Sequence, residues 1–289
     1  MEAAAVVEAL VAGRAFADLT AWRKVAVSGR EAFGWLNDLA SADISDLAPG
    51  RARRSLLLSP TGRIRAEFTV AVPGGNLLLI QDPAQPTPIE TLLAPYVLSS
   101  DVELEDRTDA LALYAFPGRS IAPDTPGTAI SAPSCAGAGV DLLALAEDHG
   151  FLLGSLSKAY KLAGSAALEA WRIAAGIPRF GVDALEADLP QEGGFAEAVS
   201  FDKGCYLGQE AVAKVRNLGH PRRMVVHLTA DIAVSPGDAV EADGERVGEV
   251  TSASASDGHW WLLARVRWAS QNGPLRTERG TLLTPVPNP

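Results

Sequence analysis

The sequence predicts an α+β fold, with mixed αβ structure over residues 1–220 and a small all-β module over residues 221–289. Three observations carry this reading. Between Ser55 and Ile80, short apolar runs alternate with tight turns. Ser165 to Ala175 is built of strong helix formers and stops at Gly176 and Pro178. Beyond Arg222 the chain breaks into short strands separated by Pro236-Gly237 and by the hairpin signal Asp243-Gly244. With 289 residues, 47% of them hydrophobic and 21% charged, the chain can bury a large core without staples.

In chain order, Ser28 to Asn37 opens an amphipathic helix starting near Ser28, with Ala32, Phe33, Leu36 and Leu39 on one stripe. Three strands follow, Leu56–Leu58, Arg63–Val72 and Leu77–Ile80, joined by turns at Ser59–Gly62 and Pro73–Asn76. Strict alternation in the middle strand puts Ile64, Ala66, Phe68, Val70 and Val72 on the core face and Arg63, Arg65, Glu67 and Thr69 on the polar one. A helix is expected over Thr87–Leu98 and a strand over Val102–Leu104, and the Pro- and Gly-rich stretch 117–139 reads as a connection between subdomains. Ser165 is the expected cap of the following helix. In the terminal module, Met224–Leu228 and His259–Trp268 read as strands, with Trp260 and Trp261 on opposite faces.

A net charge of -10 and a pI near 4.9 argue against a general nucleic-acid coat or a binder of anionic membranes, since both need a cationic surface to displace counterions, while leaving room for a local basic site. Direct DNA binding is not expected, and the same balance argues against RNA contact. No apolar run reaches the roughly 18 residues of a spanning helix. Glu2 and Glu8 stand where a signal peptide needs basic and uninterrupted apolar residues. Two cysteines make no disulfide framework, and the four histidines are too scattered for metal-ligand spacing, so no metal site is expected. These features together predict a cytoplasmic protein.

The sharpest local feature is Asp202-Lys203-Gly204-Cys205-Tyr206-Leu207-Gly208-Gln209-Glu210, which runs into a helical pattern at Ala211. A thiol ahead of a helix N-terminus, with Lys203 beside it and Lys214, Arg216, Arg222 and Arg223 following, is in the setting that lowers a cysteine pKa. Equally, Cys205 can be a small buried hydrophobe with glycines shaping a turn. A second feature is the density of Arg51, Arg53, Arg54, Arg63 and Arg65, which suits a carboxylate or phosphate ligand if that face looks into a cleft, and is otherwise a solvated sheet face. Phosphate-loop, dinucleotide-binding and serine-hydrolase motifs are absent.

The Lys-Gly-Cys-Tyr-Leu-Gly-Gln-Glu run from Lys203 to Glu210 resembles the signature of YgfZ-type folate-binding proteins, relatives of the glycine-cleavage T-protein. Val27–Leu39, Leu57–Ile64, Trp171–Asp183, Leu189–Glu192 and Gly248–Ala253 extend the resemblance over most of the chain. It implies an aminomethyltransferase-like folate-binding fold, αβ subdomains around a central cleft followed by a β-barrel-like module, with tetrahydrofolate or a one-carbon derivative as cofactor. It implies an accessory role in iron-sulfur cluster assembly or repair, with iron-sulfur proteins or their assembly factors as partners. Cys205 would be the reactive thiol, Lys203 its activator, and Gly204, Tyr206, Gly208, Gln209 and Glu210 the frame. Arg63, Arg65, Glu67, Arg172 and Phe180 would contact folate. Two departures weigh against aminomethyl transfer itself: Ala66-Glu67 stands where paired aspartates are expected, and Ala174 stands where a glutamate is expected. An aminomethyltransferase or methyltransferase that tolerates them, and a scaffold for tRNA-modifying iron-sulfur enzymes, are the alternatives.

Overall fold

The computed structural model describes residues 2–98, 100–131, 134–135, 138–256 and 258–287, so part of the 117–139 connection lies outside the described residues. The chain begins with α1 (Glu2–Val11), β1 (Ala15–Asp18), β2 (Arg23–Ser28), α2 (Ala32–Leu39), β3 (Arg51–Leu58), β4 (Ile64–Val72) and β5 (Leu77–Gln81). It continues with α3 (Ile89–Leu93), β6 (Glu103–Asp106), β7 (Leu111–Pro117), β8 (Thr128–Ser131), β9 (Gly139–Leu145), α4 (His149–Ala159), β10 (Lys161–Ala163), α5 (Ser165–Ala174) and α6 (Gln209–Leu218). Last come β11 (Arg223–Ala230), β12 (Ala239–Ala242), β13 (Glu245–Ser256), β14 (His259–Arg267), β15 (Leu275–Thr277) and β16 (Leu282–Pro285).

The first ten strands form one sheet in the order β10-β1-β7-β9-β8-β3-β4-β5-β2-β6. Its two halves are joined by a single parallel pair, Arg51 with Ser131. Both halves contribute to one apolar layer: Ala17, Leu113, Ala115, Ile130 and Leu143 from one, Ala52, Ala71, Leu78 and Ile80 from the other. Helices cover the outer faces, α2 and α3 packing over Val70, Val72 and Leu79, and α4 placing Leu152 and Leu156 on Phe16, Tyr114 and Phe116. The sheet edges are the three-residue β10 and the acidic β6, which carries Glu103, Glu105 and Asp106.

The last six strands close into an antiparallel barrel, β11-β14-β13-β12-β15-β16. The Asp243-Gly244 turn joins β12 to β13 as the sequence predicts, with both residues at positive φ, the geometry of the mirror-image turns that match strand twist. Trp260 packs on the barrel core and Trp261 outside it, stacked on His227.

Four expectations are corrected. Helix α2 starts at Ala32 rather than near Ser28, and the 87–98 segment holds only the short α3 and one 3₁₀ turn. Gly164, not Ser165, is the residue before α5, and no side chain caps that end. Most consequential is a register shift between Leu57 and Leu58: Leu57 pairs with Ala66 and Leu58 with Ile64, so Arg65 is the extra residue of a β-bulge. Ile64 therefore points with Leu56 and Leu58, away from the Ala66–Phe68 core. Alternation beyond the bulge holds, and Glu67 and Thr69 share the inner face with their partners Leu56 and Arg54.

Candidate functional site

Where the inner face of β3, β4 and β5 meets α5, the layers leave a cavity of about 220 Å3. Trp22, Ile80, Leu168 and Trp171 give it apolar walls, and Arg54, Glu67, Asp82 and Gln85 supply polar groups. Glu67 is held at both ends. Its backbone N–H donates to Oε1 of Gln85 at 3.1 Å and its carbonyl accepts from Nε2 of Gln85 at 2.7 Å. Its carboxylate accepts from Arg54 Nε at 2.7 Å and from the Phe180 N–H at 3.2 Å. Arg54 also donates to the Pro178 carbonyl at 2.8 Å and lies over the Phe195 ring. Glu67 and Arg54 thus form a pre-oriented, mostly buried pair in the wall, where ion pairs are screened less than at the surface.

Arg172, also in the cavity wall, faces away from it chemically. Nε and Nη2 bond Glu169 at 2.7 and 2.5 Å, Nη1 bonds the Ile177 carbonyl and Asp183 at 3.0 and 2.7 Å, and Nη2 also bonds Ser252 at 2.8 Å. All five N–H donors of the guanidinium are used. Asp183, fully buried, further accepts from Thr251 and Ser252 of β13. This cluster joins α5 to the barrel. Gly176 supports the same joint: at φ +70 it lies so close to the His227 ring that a Cβ would approach Nδ1 to 2.7 Å. Burial lowers the His227 pKa.

The Lys203–Glu210 run forms an ordered loop on the surface. The Lys203 ammonium donates to the carbonyls of Asn37, Ala40 and Ala42, the open C-terminal end of α2 and the turn after it, and burial draws its pKa down to about 8 against the pull of Asp43 and Asp38. Tyr206 is buried, the Leu207 N–H donates to the Asp38 carbonyl, and Gly208, at φ +83, passes so close to the Ser59 carbonyl that a Cβ would stand 2.3 Å from it. Gln209 reaches back to the Tyr206 N–H, and Glu210 is exposed in the first turn of α6. Between these anchors Gly204 and Cys205 are exposed. The thiol is not in the cavity wall, it stands four residues before α6, and the nearest lysine in sequence is engaged elsewhere.

The cysteine that lines the cavity is Cys135, beside Ser134. Behind them, fully buried on β9, is Asp141, whose Oδ2 accepts from the N–H and the hydroxyl of Ser134, both at 2.6 Å. Burial raises the Asp141 carboxyl to about 7 and, with Asp141 itself, pushes the Cys135 thiol well up.

Of the residues singled out in the sequence, Glu67 and Arg172 line the cavity. Arg63 turns to Glu192 and the Ala187 carbonyl, Arg65 on the bulge pairs with Glu186, and Phe180 packs among Leu56, Leu58 and Ile64. The arginine cluster therefore divides, with Arg53 bound to Asp46 and Arg54 alone of its five members lining the cavity. Arg54 was visible as a member of the cluster, but its place depends on its pairing with Thr69 across β3 and β4. Among the described residues, no His, Cys, Asp and Glu side chains group as for a metal ion, and no helix is long and apolar enough to cross a membrane.

Comparison with known proteins agrees with this architecture. Residues 2–120 match the GCVT N-terminal domain. An aminomethyltransferase of Streptomyces coelicolor is 28% identical over 287 residues, covering 83% of this chain and 74% of that protein. The chloroplastic protein At1g60990 of Arabidopsis thaliana is 26% identical over 85% of this chain, which spans 63% of that protein's length. An uncharacterized protein of Haemophilus influenzae is 24% identical, with 86% of this chain and 87% of that one covered. The crystal structure of glycine cleavage system aminomethyltransferase T from Bartonella henselae has the same fold, with a TM-score of 0.83 at 18% identity over 98% of this chain and 89% of that one. The chain has the aminomethyltransferase fold, with residues 2–120 matching the GCVT N-terminal domain and a closed C-terminal barrel.

Proposed function

We propose that the cavity holds the heterocycle of a reduced folate, tetrahydrofolate or a one-carbon derivative, and that the protein is a folate-binding accessory factor for iron-sulfur cluster assembly or repair. The observation that carries the folate reading is the cavity itself. At about 220 Å3 it is smaller than the roughly 300–1,000 Å3 of sites that enclose a whole drug-sized ligand, so it suits a bicyclic ring whose tail runs out of the mouth. Trp22 and Trp171 offer faces for stacking, while Glu67, Gln85 and Arg54 offer a carboxylate, an amide and a guanidinium to a ring edged with donors and acceptors.

The accessory role rests on the loop that carries Cys205. A thiol held at the surface between anchored residues is suited to meeting a partner protein rather than the cavity ligand. Aminomethyl transfer remains the second reading, favoured by the fold and by the Streptomyces coelicolor relative. Against it, Ala66 is buried in the core under α2, and the cavity carboxylates Glu67 and Glu169 are both engaged by arginines, where a transferase needs a placed acid or base.

Calorimetric titration with folinic acid tests the cofactor. Heat of binding is expected from the parent protein, weakened by Glu67→Gln and unchanged by Arg63→Ala or Arg65→Ala; no heat removes folate from the account. Turnover of aminomethyl-lipoyl carrier protein with tetrahydrofolate would establish the transferase instead. Full rescue of iron-sulfur enzyme activity by Cys205→Ser, in a strain lacking this protein, would remove the thiol's role.

A further inference from the structure

Asp141 is out of place electrostatically. Its register partners are Ala115 on β7 and Ile130 on β8, both members of the apolar layer between the sheet halves, and its own side chain is fully buried on that face. Among the described residues no Lys, Arg or His pairs with it. Oδ2 is satisfied by Ser134, and Oδ1 is buried without a partner. The other titratable group that faces it is the Cys135 thiol, on which Arg54 acts from β3; β7 and β8 present only apolar side chains at the register positions. An unpaired buried carboxyl is costly, and this one stands directly behind a hydroxyl in the cavity wall.

We propose that Asp141, acting through Ser134, sets whether this wall of the cavity offers a hydrogen-bond donor or an acceptor to the bound ring, so that the site's choice among heteroaromatic ligands depends on pH. At the 2.6 Å contact the ionised carboxylate can only accept the Ser134 O–H, which leaves only the lone pairs of Oγ toward the cavity. The neutral carboxyl carries its own proton and can donate it in a hydrogen bond to Oγ. The Ser134 hydrogen is then free to turn to an acceptor on the ligand. No bond to the ligand forms or breaks, and the single proton exchanged comes from solvent. Asp141 is a positioning residue and Ser134 the contact. The carboxyl value near 7 puts the change within the working range of most proteins.

This inference rests on the proposed occupancy of the cavity by a folate ring, and the test separates the two. Quenching of the cavity tryptophans, Trp22 and Trp171, would report binding of folic acid, which carries a carbonyl at ring position 4, and of aminopterin, which carries an amino group there. The ratio of the two Kd values is expected to change by up to about tenfold between pH 6 and pH 8, as the neutral fraction of Asp141 falls from about nine-tenths to about one-tenth. The slope should vanish in Asp141→Asn and in Ser134→Ala, whatever their absolute affinities. The ligands' own ionisation is common to all three proteins and drops out of that comparison. A merely structural anchor for the 134–135 turn would not give a pH-dependent ratio. A flat ratio in the parent, or the same slope retained in both variants, overturns the inference while leaving the folate reading intact. If neither ligand binds, this inference falls, and the folate reading falls with it only if folinic acid also gives no heat.

Discussion

Replacing Arg172 by Met, which keeps most of its length and removes its charge, tests whether this residue belongs to the barrel joint or to the ligand. The guanidinium spends all five donors on Glu169, Asp183, Ser252 and the Ile177 carbonyl. Its loss leaves Asp183, with no solvent exposure, as an uncompensated carboxylate supported only by Thr251, Ser252 and the Arg179 N–H. Removing one partner of a buried pair typically costs about 3–5 kcal/mol. For a chain of this length the unfolding entropy near the midpoint is about 0.6 kcal/mol/K, so Tm should fall by about 5–8 °C. Differential scanning calorimetry of the parent, Arg172→Met and the double variant Arg172→Met/Asp183→Asn would measure this. The double variant should recover part of the loss, because it removes the orphaned charge and the two sites share one network. An Arg172→Met protein with the parent's Tm and no folinic acid binding would refute the reasoning, and would return Arg172 to the folate contact that the resemblance implies.

Three further outcomes are expected. Lys203→Met should lower stability in urea by about 1–3 kcal/mol, since three backbone carbonyls lose their ammonium, while the alkylation rate of Cys205 at neutral pH stays within about twofold. Timed alkylation with mass spectrometry should label Cys205 well before Cys135, because Cys205 is exposed while Cys135 is half-buried in the cavity wall with its thiol pKa raised by desolvation and Asp141. The Asp141 carboxyl, held near 7 in the fold and at an ordinary value in the unfolded chain, ionises in the unfolded state first. Stability is therefore lost as pH rises from about 4 to about 7, by up to about 4 kcal/mol, and urea midpoints at pH 5 and pH 8 should show Asp141→Asn removing that part.

Much of the architecture was legible because its signals are local. Gly176 and Pro178 end α5, Asp243-Gly244 turns the barrel hairpin, and the alternation of Trp260 and Trp261 survives intact. The alternation of β4 failed at its start because a bulge is invisible until Leu57 and Leu58 find their partners. The site was harder still. Glu67 belongs to it because strand pairing sets it opposite Leu56, beside Arg54. Cys135 belongs to it because a connection far along the chain returns to the cavity, and nothing adjacent in sequence marks that return. The motif around Cys205 is conspicuous for a different reason. Lys203 and Gly208 are required by backbone groups of residues 37–42 and 59, and Tyr206 by packing on Leu56 and Leu58, contacts between segments more than a hundred positions apart.

The two borders of the ten-stranded sheet bear on how the molecule keeps to itself in a crowded solution. One, β10, is only three residues long, too short to template a neighbour, and the other, β6, carries the exposed acids Glu103, Glu105 and Asp106 on its two faces. A second molecule approaching in register would bring like charges face to face, so the row of open amide groups repels the partner it would otherwise recruit into a fibril.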